Sequence, residues 1–120
     1  NGRELWKSDG TTSGTVMVKD INSGSLSSFS VYPWDLSLTV IGNTLYFSAD
    51  DGTYGFELWK SDGTANGTMM VNDINSGTSS SSPSGFTALG NTILFTATHE
   101  TRGNELFINH YEVAQVITYS

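Results

Sequence analysis

The chain has no cysteine, so disulfide staples and thiolate chemistry are excluded. It has only five lysines and arginines, scattered among twelve acidic residues, for a net charge of −7. A nucleic-acid partner is therefore excluded, because releasing counterions from phosphates takes clustered basic residues. Anionic membrane surfaces are disfavoured for the same reason, while an acidic surface suits solubility outside the cell. No run approaches the roughly 20 apolar residues of a membrane-spanning helix. No window carries a sustained helical apolar period either. Charged residues make up only 14% of the chain, against about a quarter in an average domain.

What fills the space is Gly, Ser, Thr and Asn, together with 12% aromatic residues and many Val, Ile and Leu. Short strands joined by many polar turns give that composition. Residues 44–49 are apolar and aromatic after a Gly42-Asn43 turn signal. Residues 56–60 place Phe56, Leu58 and Lys60 on one face, with Glu57 and Trp59 on the other. Residues 68–74 alternate again, Met70, Asn72 and Ile74 against Met69, Val71 and Asp73, and residues 37–41 form a weaker strand signal. The fold class is all-β.

These strands belong to a repeat. Glu4-Leu5-Trp6-Lys7-Ser8-Asp9-Gly10-Thr11 returns unchanged as Glu57-Leu58-Trp59-Lys60-Ser61-Asp62-Gly63-Thr64. Residues 2–24 align with 55–77 without a gap, and five of the twenty-three pairs differ. Gly42-Asn43-Thr44-Leu45-Tyr46-Phe47 reappears in altered form as Gly90-Asn91-Thr92-Ile93-Leu94-Phe95, and Glu57-Leu58 as Glu105-Leu106. A period near 50 residues points to stacked β units such as propeller blades. The expected organisation is a partial first repeat of two strands (1–24), a full second repeat with an aromatic insert (25–77) and a divergent terminal repeat (78–120). That amounts to about two and a half four-stranded antiparallel meanders. Trp6, Trp59 and the Phe107 that replaces them are expected to pack between units.

The pattern Glu-Leu-Trp-x-x-Asp-Gly-Thr, followed by Gly-Thr, an apolar strand and Asp-Ile, resembles the ELWxxDGT repeat family. The run from Leu45 through Asp50, Asp51, Gly52 and Thr53 to Gly55 carries the same likeness. The resemblance covers the chain from Gly2 to about Phe107. It implies a bacterial secreted or surface protein with kelch-like propeller blades, extracellular and non-enzymatic, and no active-site residues to carry over. The last copy departs from the family: after Phe107, Ile108-Asn109-His110-Tyr111 stands where Lys-Ser-Asp-Gly is expected, and residues 112–119 read as one more strand. Such divergence suits the end of an array.

Several residues invite a sharper reading. Asp9 and Asp62, in the Asp-Gly-Thr turns, have calcium-ligand chemistry, but an Asx turn with Gly taking the positive φ is preferred. Asp50 and Asp51 are the better calcium candidates, although a solvated loop explains them too. Calcium is the one cofactor to consider. Glu4, Glu57 and Glu105 recur, and identical positions in identical repeats favour a shared structural task over an acid/base pair, which needs two unlike environments. His99 and His110 lack the spacing of a metal site. The insert around Tyr32, Pro33 and Trp34 is either a platform for a sugar ring or a protein, or a plug between units.

Two and a half units cannot close a propeller, which takes about four to eight blades. Exposed faces and unpaired strand edges would invite association, and the missing pair of strands in the first unit invites β-augmentation. The expected partners are self or further repeats of the same protein, with glycans or surface proteins as the alternative through Tyr32 and Trp34. No membrane insertion is expected.

Overall fold

The computed structural model describes residues 2–30, 38–75, 77–90, 92–99, 103–110 and 113–117. Every regular element among them is a β-strand. A two-stranded sheet pairs β1 (Leu5–Lys7) with β2 (Val16–Lys19). The second sheet is a four-stranded antiparallel meander of β3 (Leu38–Ile41), β4 (Thr44–Asp50), β5 (Phe56–Ser61) and β6 (Met69–Asn72), adjacent in that order. The third repeats the meander with β7 (Ser84–Leu89), β8 (Thr92–His99), β9 (Gly103–His110) and β10 (Val113–Ile117). The all-β reading and its two, four and four strands match this order.

Strand alternation decides which sheets share a core. On β4, Phe47 and Ala49 project to one side and Tyr46 to the other. Phe47, Ala49 and Trp59 form one cluster with Leu5, Val18, Ile21 and Phe29, which belong to the first sheet and the segment after it. Tyr46, Leu58 and Ile74 form a second cluster with Ile93, Phe95 and Ala97 of the third sheet. The middle sheet thus buries both faces, and each cluster is shared between successive sheets. Within them Phe29 meets Phe47 at a centroid distance of 5.6 Å, and Phe86 meets Phe95 at 5.8 Å.

One detail departs from simple alternation. Residues 68–74 read as a continuous strand that would put Ile74 beside Met70. Instead β6 ends at Asn72. Met70 packs against the first cluster, whereas Ile74 lies in the second. The β5–β6 pairing slips by one residue between Trp59↔Met70 and Leu58↔Asn72, a bulge that switches the faces after Met70, and Glu57 Oε1 then accepts from the Ile74 amide at 2.8 Å.

The same backbone stitch ties each sheet to the next. Ser28 N donates to Arg3 O at 2.9 Å, and Asp50 N donates to Ser28 O at 2.8 Å. One unit later, Ser81 N donates to Phe56 O at 2.9 Å, and Thr98 N donates to Ser81 O at 2.7 Å. A single serine therefore bridges the start of the third-type strand in one sheet (β1, β5) and the end of the second-type strand in the following sheet (β4, β8).

Candidate functional site

The repeated carboxylates have a structural task in both copies. Glu4 Oε2 accepts from Ile21 N at 3.0 Å, as Glu57 Oε1 does from Ile74 N. Glu57 also accepts from Ser81 N at 3.1 Å and Ser81 Oγ at 2.7 Å, so it anchors the stitching segment. Burial pushes its carboxyl up to about 7, against the opposing pull of the Ser81 and Ile74 donors. Both glutamates sit under turns of the chain and are buried.

The Asp-Gly-Thr turns are closed networks. Asp9 Oδ1 accepts from Thr11 N at 2.9 Å and Thr11 Oγ1 at 2.6 Å, and Gly14 N donates to Thr11 Oγ1 at 2.9 Å. Asp62, Thr64 and Gly67 repeat these bonds at 2.9, 2.7 and 2.9 Å. The threonine hydroxyl and amide hold both aspartates below the usual carboxylate range. These are Asx turns in which the side chain replaces a backbone acceptor. Gly10 and Gly63 adopt φ of 91° and 93°, which is why glycine follows each aspartate.

The calcium candidates Asp50 and Asp51 are engaged in the same manner. Asp50 Oδ1 accepts from Gly52 N at 2.8 Å, and Asp51 Oδ1 accepts from Thr53 N and Tyr54 N, both at 2.9 Å. Among the described residues no group of three or more His, Cys, Asp or Glu is placed to hold a metal ion. Tyr32 and Trp34 lie outside the described residues. So does the Phe107 side chain, although the backbone register sets Phe107 opposite Phe95.

The two repeated tryptophans part company. Trp59 is 6% exposed and belongs to the first cluster, but Trp6 is 56% exposed. The expectation of packing at Trp6 thus fails within this chain. Trp59 is covered by the first sheet and flanked by Phe47 of β4, its register partner. Trp6 has neither: among the described residues no sheet covers its face, and β1 pairs with β2 alone.

Beside Trp6 lies an open cleft of about 450 Å³. Trp6 and Lys7 form one wall, Val40, Asn43 and Leu45 another, and the turn at Asp62 and Gly63 an end. Leu38 and Val40 are 53% and 65% exposed. They share a face with Phe47 and Leu45, their register partners on β4. Among the described residues, the apolar face of the middle sheet is therefore covered under β4 and β5 and bare under β3, and the first sheet has no further strand to reach that far.

Lys7 and Lys19 cross the same junction: Lys7 Nζ donates to Gly63 O at 2.8 Å, and Lys19 Nζ donates to Thr68 O at 2.9 Å. Sequence reading missed these lysines, Leu38, Val40 and the stitching serines. Ser28 and Ser81 do share the 53-residue offset of Glu4 and Glu57, so extending the alignment a few residues would have found them. Compared with known proteins, the chain matches no family model, no curated protein and no solved structure.

Proposed function

We propose that the chain is a non-enzymatic, extracellular β-repeat protein of the ELWxxDGT type, built from propeller-like blades. Its incomplete first unit serves self-assembly or joining to further repeats. The observation that carries this reading is the strip of Trp6, Leu38 and Val40 left bare by the described residues, beside an edge of β1 that none of them pairs. Large exposed apolar residues next to an open strand edge favour association. The repeated glutamates and aspartates support a structural protein, since each accepts hydrogen bonds from the chain's own amides, and Glu57, Asp9 and Asp62 from its hydroxyls as well. A head-to-tail contact between units gives a ring if the rotation closes and a filament if it does not.

Light scattering over a concentration series, with electron microscopy of the same samples, tests the reading. Rings, filaments or concentration-dependent oligomers are expected. A compact monomer throughout the micromolar range would remove self-assembly from the proposal.

A further inference from the structure

One hydroxyl in the joint between the middle and third sheets has two acceptors and a single hydrogen. Ser81 Oγ lies 2.7 Å from Glu57 Oε1 and 3.1 Å from Phe56 O. A serine O–H can be given to only one of them at a time. Both side chains are fully buried, where an unshared charge is costly. The first copy shows the same hydroxyl committed to one side. Ser28 Oγ donates to Arg3 O at 3.2 Å, and Glu4 Oε1 has no partner among the described residues.

From this we infer that Glu57 and Ser81 form a proton-operated latch on the joint between the middle and third sheets. With the carboxyl protonated, its O–H donates to Ser81 Oγ, and the Ser81 hydrogen goes to Phe56 O. Every group is then paired and no charge is buried. When the proton leaves for solvent, the Ser81 hydroxyl turns to Oε1 and Phe56 O loses that donor. The carboxylate keeps the bonds from Ile74 N and Ser81 N, but its charge stays buried. The same serine joins Phe56 O to Thr98 N of β8, so its state sets how firmly the third sheet is held.

The surroundings hold the latch closed below neutrality. On β4, Ala49 stands opposite Glu57, and the stitch brings Ser80, Ser81 and Thr98, none of which titrates near neutral pH. Among the described residues, the charge set against Glu57 is that of Asp73. Asp73 Oδ1 is itself buried without a partner there, and Oδ2 accepts from Gly77 N at 3.3 Å. Burial first, and this like charge second, push the Glu57 carboxyl up to about 7. The latch therefore contributes fully below pH 4.5, and its contribution is lost as pH rises to about 7.

Carbon-detected NMR of the whole chain, from about pH 4 to about pH 8, follows the Glu57 carboxyl, the Phe56 carbonyl and the exchange protection of the Thr98 amide. The two carbons should move together with one midpoint near 7. Thr98 protection should fall by up to about tenfold per pH unit between 4.5 and about 7, then level off. Ser81→Ala should remove most of the Phe56 response while Glu57 still titrates. That variant retains the joint, because Phe56 O keeps its amide donors Ser81 N and Ser82 N. Glu57→Gln, which fixes a neutral donor beside Ser81, should make Thr98 protection independent of pH. A Glu57 carboxyl that titrates in the ordinary carboxylate range overturns the inference. So does a Phe56 response undiminished by Ser81→Ala, or a Thr98 profile unchanged by Glu57→Gln.

Discussion

Residues 2–24 and 55–77 are nearly one sequence in two environments. Their local structure is the same, down to the bonds of Asp9 and Asp62 with the threonines two residues on. Their burial is not the same: Trp59 is enclosed between sheets and Trp6 faces the open cleft. The contrast separates what the octet encodes from what its neighbours supply. It encodes a turn, a strand and an anchoring glutamate. Whether its tryptophan stabilises the fold depends on the adjoining strands.

The largest break in the comparison should come from truncating the two tryptophans. Trp59→Ala removes an aromatic ring from the shared core and should cost about 3–5 kcal/mol, a large part of the stability of a domain this size. Trp6→Ala removes a ring that is mostly in solvent and should cost less than about 1 kcal/mol. Urea or thermal denaturation of the two variants gives both values. Equal losses would mean that Trp6 is covered in solution, with the covering chain identifiable from the dependence on protein concentration.

The turns should show the opposite behaviour, because they are self-contained. A Cβ added at Gly14 would collide with the Asp9 carboxylate, and one at Gly67 with that of Asp62. Gly14→Ala and Gly67→Ala should each destabilise by about 1–3 kcal/mol. The two values should agree more closely than those of the tryptophans. A large disparity would show that the turn depends on what surrounds it.

Much of this was legible beforehand, for physical reasons that differ by residue. The repeat and its alternation set the strands, because side-chain period and turn chemistry are local. The Asx reading of Asp9 and Asp62 held for the same reason: acceptor and donor are two residues apart. The change of face at Ile74 was not legible, because it follows from a bulge in the pairing of β6 with β5, which the alternation of one strand does not reveal. Nor was the exposure of Leu38 and Val40 among the described residues, since β3 looks like any half-buried strand until what lies opposite it is known.

A smaller effect is expected from pH. Glu57 carries a carboxyl raised from 4.5 to about 7 by burial. Between those values the folded chain keeps a proton that the unfolded chain has lost, so stability falls as pH rises through this window. The slope for one proton is at most about 1.4 kcal/mol per pH unit. Glu57→Gln should flatten that part of the stability profile, measured by denaturation from pH 4 to about pH 8. A slope unchanged in the variant would assign the titration to another group.

The smallest expected effect concerns how the two copies hold each other. Lys19 Nζ reaches Thr68 O, but its counterpart in the second copy is Asn72, which is too short for the same reach. The turn that a lysine at 72 would meet is also rewritten, with Asn109 and His110 in place of Ser and Asp. Loss of the donor thus accompanies loss of the turn. Lys19→Ala should cost about 0.5–1.5 kcal/mol, the range for one hydrogen bond. Asn72→Lys should recover nothing, because the acceptor-rich turn is absent from the third copy. If Asn72→Lys stabilised the chain by as much as Lys19→Ala weakened it, the third unit would be presenting the same acceptor as the second despite its altered sequence. The distinction between the copies would then lie in the cleft at Trp6 alone.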